Sequence, residues 1–186
     1  MSIEKLDNEE LLRLSLDAIN RGADADSLVL LKTLLAREPN HVYATYLMAA
    51  QHAQLGMFDR AEEGFRAVVA GAPEFSIARF QLCQLLIMKG AQQEARQLLA
   101  PLLAQGDALG AYARALDAAA ADDVPAAIAE LESGLQLTQE NPALEGDMRR
   151  LLIQFRGAGT TGAEAAPAEM TLSTPMLLSN YQRGNL

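Results

Sequence analysis

The chain has no tryptophan, one cysteine (Cys83) and two histidines (His41 and His52). A lone cysteine forms neither an internal disulfide framework nor a cysteine-rich metal site. Aromatic residues make up 5% of the chain, so its core must be mainly leucine and alanine, which favours helix over sheet. Positive charge is also in deficit, with 15 Lys and Arg against 24 Asp and Glu and a net charge of -9. Recognition of nucleic acid needs clustered cations, and so does recognition of an anionic membrane surface. Neither partner is expected. Apolar runs fall far short of the roughly 20 residues that a spanning helix needs, so no membrane insertion is expected. The opening MSIEKLDNEELLRL places acids where a signal peptide would carry an unbroken apolar run, and the expected compartment is the cytoplasm.

Catalytic patterns are missing too. The chain contains no His-x-x-x-His, no glycine-rich phosphate loop and no Gly-x-Ser-x-Gly. His41 falls just after an expected helix cap and His52 at a helix-packing position. Cys83 takes a small-residue packing position and reads as a buried small hydrophobe. The pairs Glu62-Glu63 and Asp122-Asp123 are adjacent in sequence, so neither pair shares one helix face, and both read as solvated surface. The chain is read as a non-enzyme, with no catalytic residue, metal or cofactor.

What the chain does have is hydrophobic residues, 50% of the total, and a period. Gly22, Gly56 and Gly90 recur at one fixed interval, shared by Ser27, Ala61 and Ala95 and by Pro39 and Pro73. Larger positions keep the same offset: Leu14, Met48 and Leu82; Leu31, Phe65 and Leu99; Leu34, Val68 and Leu102. Each glycine stands where a helix must stop and reverse. The small residues let two helices approach closely. The leucines and phenylalanines form an apolar stripe that one helix pair cannot bury alone.

This pattern resembles the tetratricopeptide repeat family, a helix–turn–helix of about 34 residues. The family's turn glycine falls at Gly22, Gly56 and Gly90, its small helix-B residue at Ser27, Ala61 and Ala95, and its closing proline at Pro39 and Pro73. The resemblance covers roughly residues 8–121. It departs at the usual aromatic that opens helix A, here Leu11, Thr45 or Arg79. It implies an all-α fold, an antiparallel helix-pair solenoid coiled into a right-handed superhelix, with a C-terminal capping helix and a flexible tail.

The boundaries follow from local chemistry. Asp7 with Glu10 forms a capping box that opens the first helix, which runs to about Asn20. Asp24 or Asp26 starts the second helix, which ends before Pro39. Asn40 is expected to cap a third helix ending at Leu55. Further helices are expected over about 58–70, 75–88, 91–104 and 109–121, with Pro101 kinking or ending the sixth. Pro125 suits the first position of an eighth. Ala127 follows Ala95 sooner than the shared interval requires, so the fourth repeat is degenerate. Asn141-Pro142 opens a helix to about Phe155 that suits a terminal cap. The helical domain is therefore 1–156. Residues 157–171, small and glycine-rich, read as a flexible linker. Residues 172–186 read as a short apolar segment, with Thr174 as a helix cap and Met176, Leu177, Leu178 and Tyr181 as a docking face.

In the family the A helices line a concave face. That register puts Leu12, Leu16, Tyr43, Tyr46, Leu47, Ile77, Phe80, Gln84 and Tyr112 in a partner-binding groove. The cations of the family's carboxylate clamp are missing, so the expected partner is an apolar segment of a protein or peptide. The function expected from the resemblance is a non-catalytic interaction scaffold, an adaptor or client-binding chaperone. The alternative is a regulatory or assembly subunit of a larger enzyme or secretion or envelope complex, tethered through its tail. The second helix is apolar over more than one face (Leu28 to Leu31, Leu34, Leu35), which reads either as deep burial or as a homo-oligomer surface.

Overall fold

The computed structural model describes residues 3–139 and 142–160. Residues 161–171 of the expected linker, and the whole apolar segment with Met176, Leu177, Leu178 and Tyr181, lie outside the described residues. Every regular element among the described residues is helical. The chain falls into two compact units, the first ending at Ala78 and the second beginning at Arg79.

The first unit opens with a 3-10 turn at Ile3–Lys5 and continues through α1 (Asn8–Asn20), α2 (Asp24–Arg37), α3 (Val42–Gln54) and α4 (Phe58–Gly71). It closes on the first residues of α5 (Ser76–Met88). Successive helices pack on one another from α1 to α4. The capping box forms as the sequence predicts: the Glu10 amide donates to Asp7 Oδ1 at 2.8 Å and the Asp7 amide to Glu10 Oε2 at 2.9 Å. At α3 the cap differs from expectation. His41 takes the place foreseen for Asn40, its Nδ1 accepting the Ala44 amide at 3.2 Å. An imidazole nitrogen three residues ahead of the amide supplies the acceptor that a carboxamide would.

The turns explain the period. Gly22 and Gly56 have φ of 69° and 73°, the left-handed region that glycine enters without a steric penalty. After each, the next amide reaches back five residues, Ala23 N–H to Ala18 O and Met57 N–H to His52 O, both at 2.8 Å. This is the bond that closes a Schellman cap. The small positions are where helices meet. A Cβ at Gly64 would stand 2.7 Å from Ala49 Cβ, so α3 and α4 touch nearly backbone to backbone. The buried Ser27 hydroxyl lies 3.0 Å from Gln51 Oε1, joining α2 to α3. On α2, Leu30, Leu31 and Leu34 are buried and Leu28 and Leu35 partly so, while Val29 is 50% exposed. Burial accounts for most of that helix's apolar surface. The Arg37 guanidinium, at the end of α2, holds the N-terminal turn by donating to the carbonyls of Leu6 and Glu4.

The second unit carries the rest of α5 with α6 (Gln92–Leu103), α7 (Ala108–Ala120), α8 (Val124–Gln136) and α9 (Pro142–Thr160). From α6 to α9, successive helices pack on one another. Gly90 repeats the left-handed turn with φ 81°, and the Ala91 amide reaches Leu86 O at 2.8 Å. The fourth turn makes the same bond, Asp123 N–H to Ala118 O at 2.9 Å, but its left-handed residue is Asp122, with φ 61°. Asp122 follows Gly90 by the same shortened interval that separates Ala127 from Ala95, so the slip in register enters at or before this turn. α6 ends two residues past Pro101. Its last carbonyl and one in the loop beyond are taken by Arg114 of α7, whose guanidinium donates to Leu103 O and Gln105 O at 3.1 Å each and to Glu130 Oε2 of α8 at 2.8 Å. Asp107 and Asp123 cap α7 and α8 through the amides of Gly110 and Ala126.

The terminal helix α9 buries Leu144, Met148, Leu151, Leu152 and Phe155 and leaves Arg149, Arg150, Ile153 and Arg156 outward. The three arginines pair with Glu145, Asp147 and Glu132. The helix runs on to Thr160, past Gly157 where the sequence suggested a linker.

Candidate functional site

The apolar positions expected to line one groove divide by burial. In the first unit Leu12 and Leu16 of α1, Tyr43 of α3 and Ile77 at the start of α5 are half-buried. Tyr46 and Leu47 of α3 are buried completely. In the second unit Phe80 and Tyr112 are fully buried, and Gln84 is 5% exposed. Buried side chains have no surface to give a ligand in this state. Tyr46, Leu47, Phe80, Gln84 and Tyr112 therefore belong to the packing of their units, and Leu12, Leu16, Tyr43 and Ile77 keep surface.

Tyr112 shows what such a side chain does instead. Its ring lies against Gly134 of α8, where an added Cβ would come within 2.6 Å of the ring. Its hydroxyl donates to Gln139 Oε1 at 2.8 Å. Gln139 Nε2 in turn donates to the carbonyls of Gly134 and Leu137, each at 2.8 Å, so the tyrosine fastens the end of α8. Burial pushes its phenol up to about 12. Cys83, wholly buried on α5, has its thiol pushed up to about 12 for the same reason. It is a packed side chain, placed as a small hydrophobe is. Burial first, then the cations Arg60 and Lys32, hold His52 below the ordinary imidazole range. Among the described residues no three His, Cys, Asp or Glu side chains group to hold a metal, and no helix is long and apolar enough to cross a membrane.

The surface that remains in the first unit centres on an aromatic cluster. Tyr43 and Tyr46 stack with centroids 6.1 Å apart, Phe75 meets Tyr46 edge-on at 4.8 Å, and Tyr43 and Phe75 lie 6.4 Å apart. Phe65 of α4 supports Tyr46 from within at 6.1 Å. Tyr46 is thus a buried floor, and Tyr43 and Phe75 are half-buried rims. Partial burial raises the Tyr43 phenol above its ordinary value. The sequence reading of the groove omitted Phe75. The signal was available: Phe75 is an aromatic two residues past Pro73 and just ahead of α5, in a chain with few aromatics. Such a surface offers ring faces and edges with a single phenol at its margin.

No protein-family model and no curated protein matches the chain. Solved structures do. A double mutant of MamA from strain RS-1 superposes with a TM-score of 0.60 at 20% identity, over 83% of this chain and 85% of that one. MamA from residue 41 to its end, from Desulfovibrio magneticus RS-1, gives 0.59 at 21% identity over 82% and 89%. The tetratricopeptide domain structure of P58(IPK) gives 0.52 at 22% identity, over 83% of this chain and 47% of that one. The likeness is one of fold: the chain has the all-α helix-pair repeat architecture of tetratricopeptide proteins.

Proposed function

We propose that this chain is a non-catalytic protein-interaction scaffold, an adaptor or client-binding chaperone that takes an apolar peptide or helix on the A-helix side of its first unit. The observation that carries the reading is the aromatic surface of Tyr43 and Phe75 over a buried Tyr46 floor. Ile77 and, on α1, Leu12 and Leu16 are further half-buried apolar side chains of the same unit. Rigid rings present apolar area at small entropic cost, which is why they anchor peptide partners.

The test begins with a display selection of short peptides against the full chain. The best binder is then titrated against the wild type and against Tyr43→Ser and Ile77→Ser. Each substitution is expected to weaken binding at least tenfold with helicity retained and the chain still folded at the assay temperature. A selected apolar peptide that binds both variants as it binds the wild type would sink the proposal.

A further inference from the structure

The aromatic surface has a candidate occupant in the chain's own sequence. We infer that the C-terminal segment 172–186 docks on Tyr43, Phe75 and Ile77 of the same molecule and competes with outside peptides for that surface. The inference rests on the proposed role of the surface and names its resident ligand.

Three observations carry it. The first is chemistry. The segment reads LSTPMLLSNYQRGNL, and in a helical turn Leu177, Leu178 and Tyr181 fall on one face with Met176 beside them. Leucine and methionine pack well against ring faces and edges, and methionine sulfur adds a favourable contact at the ring edge. The second is charge. Arg183 is the sole charged side chain of the segment, while the chain as a whole carries -9. The segment therefore approaches an acidic body without repulsion, which an acidic client segment would not. The third is tethering. α9 ends at Thr160, and the residues that follow up to Thr171 are mostly small. A tether of about 11 residues has a typical reach of about 18 Å and a limit of roughly 38 Å. Wherever such a tether spans to its site, the ligand it holds has an effective concentration in the millimolar range. A segment of modest intrinsic affinity would then occupy the surface most of the time.

The docking would act as a threshold: a client gains the surface only if it outcompetes a tethered ligand. The experiment keeps the full chain throughout. A fluorescent peptide of residues 172–186 is titrated, at low protein concentration, against the wild type and against a tail variant carrying Leu177→Ser, Leu178→Ser and Tyr181→Ser. The tail variant is expected to bind the peptide at least tenfold more tightly than the wild type, and adding Tyr43→Ser is expected to abolish that binding. Equal, measurable affinity for wild type and tail variant would overturn docking within the molecule. No binding to the tail variant would overturn recognition of the segment altogether. Either failure leaves the selected apolar peptide as a separate measure of the surface, so the scaffold reading stands or falls apart from this inference.

Discussion

At Asp122 the backbone does what glycine does in the three turns before it. An aspartate tolerates the left-handed region better than most residues, at a cost that glycine escapes. Asp122→Gly is therefore expected to stabilise the chain by about 0.5–1 kcal/mol, and Asp122→Val to destabilise it by more than that. Urea midpoints at constant m-value would show both. Buried acids, Cys83 and Tyr112 foremost and Tyr43 with them, weaken the fold at alkaline pH. The folded chain holds Cys83 and Tyr112 protonated up to about 12, while their ordinary values are 9.0 and 10.0. Above pH 9 the unfolded chain has released protons that the folded chain keeps, so stability falls as pH rises, until the folded groups titrate as well. Cys83→Ala is expected to delay the onset of that fall by about one pH unit, reducing the slope between pH 9 and 10 by up to about 1.4 kcal/mol per unit. A variant that loses stability from pH 9 as steeply as the wild type would contradict the assignment.

At the scale of the element, contact is decided by what glycine lacks. Gly64→Ala puts a methyl 2.7 Å from Ala49 Cβ, and neither atom is the loose end of a side chain. Its helix-propensity gain of up to about 1 kcal/mol should be outweighed by an overpacking cost of about 1–3 kcal/mol. Pairing it with Ala49→Gly should recover part of the loss, and a double-mutant cycle reads the coupling directly. Arg114 holds a helix end: Arg114→Met is expected to cost about 2 kcal/mol, because two carbonyls and Glu130 lose a charged donor. Much at this scale is legible in the sequence. The even spacing of Gly22, Gly56 and Gly90 locates three reversals, Asp7 with Glu10 locates the first helix start, and Asn141-Pro142 locates the last. The rest was hidden for physical reasons. The i, i+3, i+4 spacing of an A helix serves its core side and its outer side alike, so Tyr46, Phe80 and Tyr112 cannot be told from Tyr43 by periodicity. Asp122 escaped because both its identity and its place departed from the repeat. His41 escaped as a cap because Asn40 has the commoner capping chemistry.

Over the whole molecule, stability in a helix-pair array is the sum of local contributions and nearest-neighbour contacts. The effect of a packing change should then stay near its origin. Gly134→Ala drives a methyl into the Tyr112 ring and should speed amide hydrogen exchange in α7 and α8, with α1–α4 exchanging as in the wild type. Acceleration of equal size in every helix would show instead that the chain unfolds as one cooperative block. The left-handed glycines have a further consequence, for how such a chain grows. Because Gly56 and Gly90 adopt the same conformation one full repeat apart, a segment copied between equivalent points of that interval re-enters the fold with its apolar stripe in phase. A copy made over the shorter interval from Gly90 to Asp122 keeps that phase as well, because Phe80 and Tyr112 stand at one offset ahead of their turns and Ala95 and Ala127 at one offset after them. Duplications are thus expected to yield folded, longer chains when spliced at Gly22, Gly56 and Gly90. Spliced from Gly90 to Asp122 they are expected to fold as well, at the small cost of an aspartate in place of glycine at the left-handed turn.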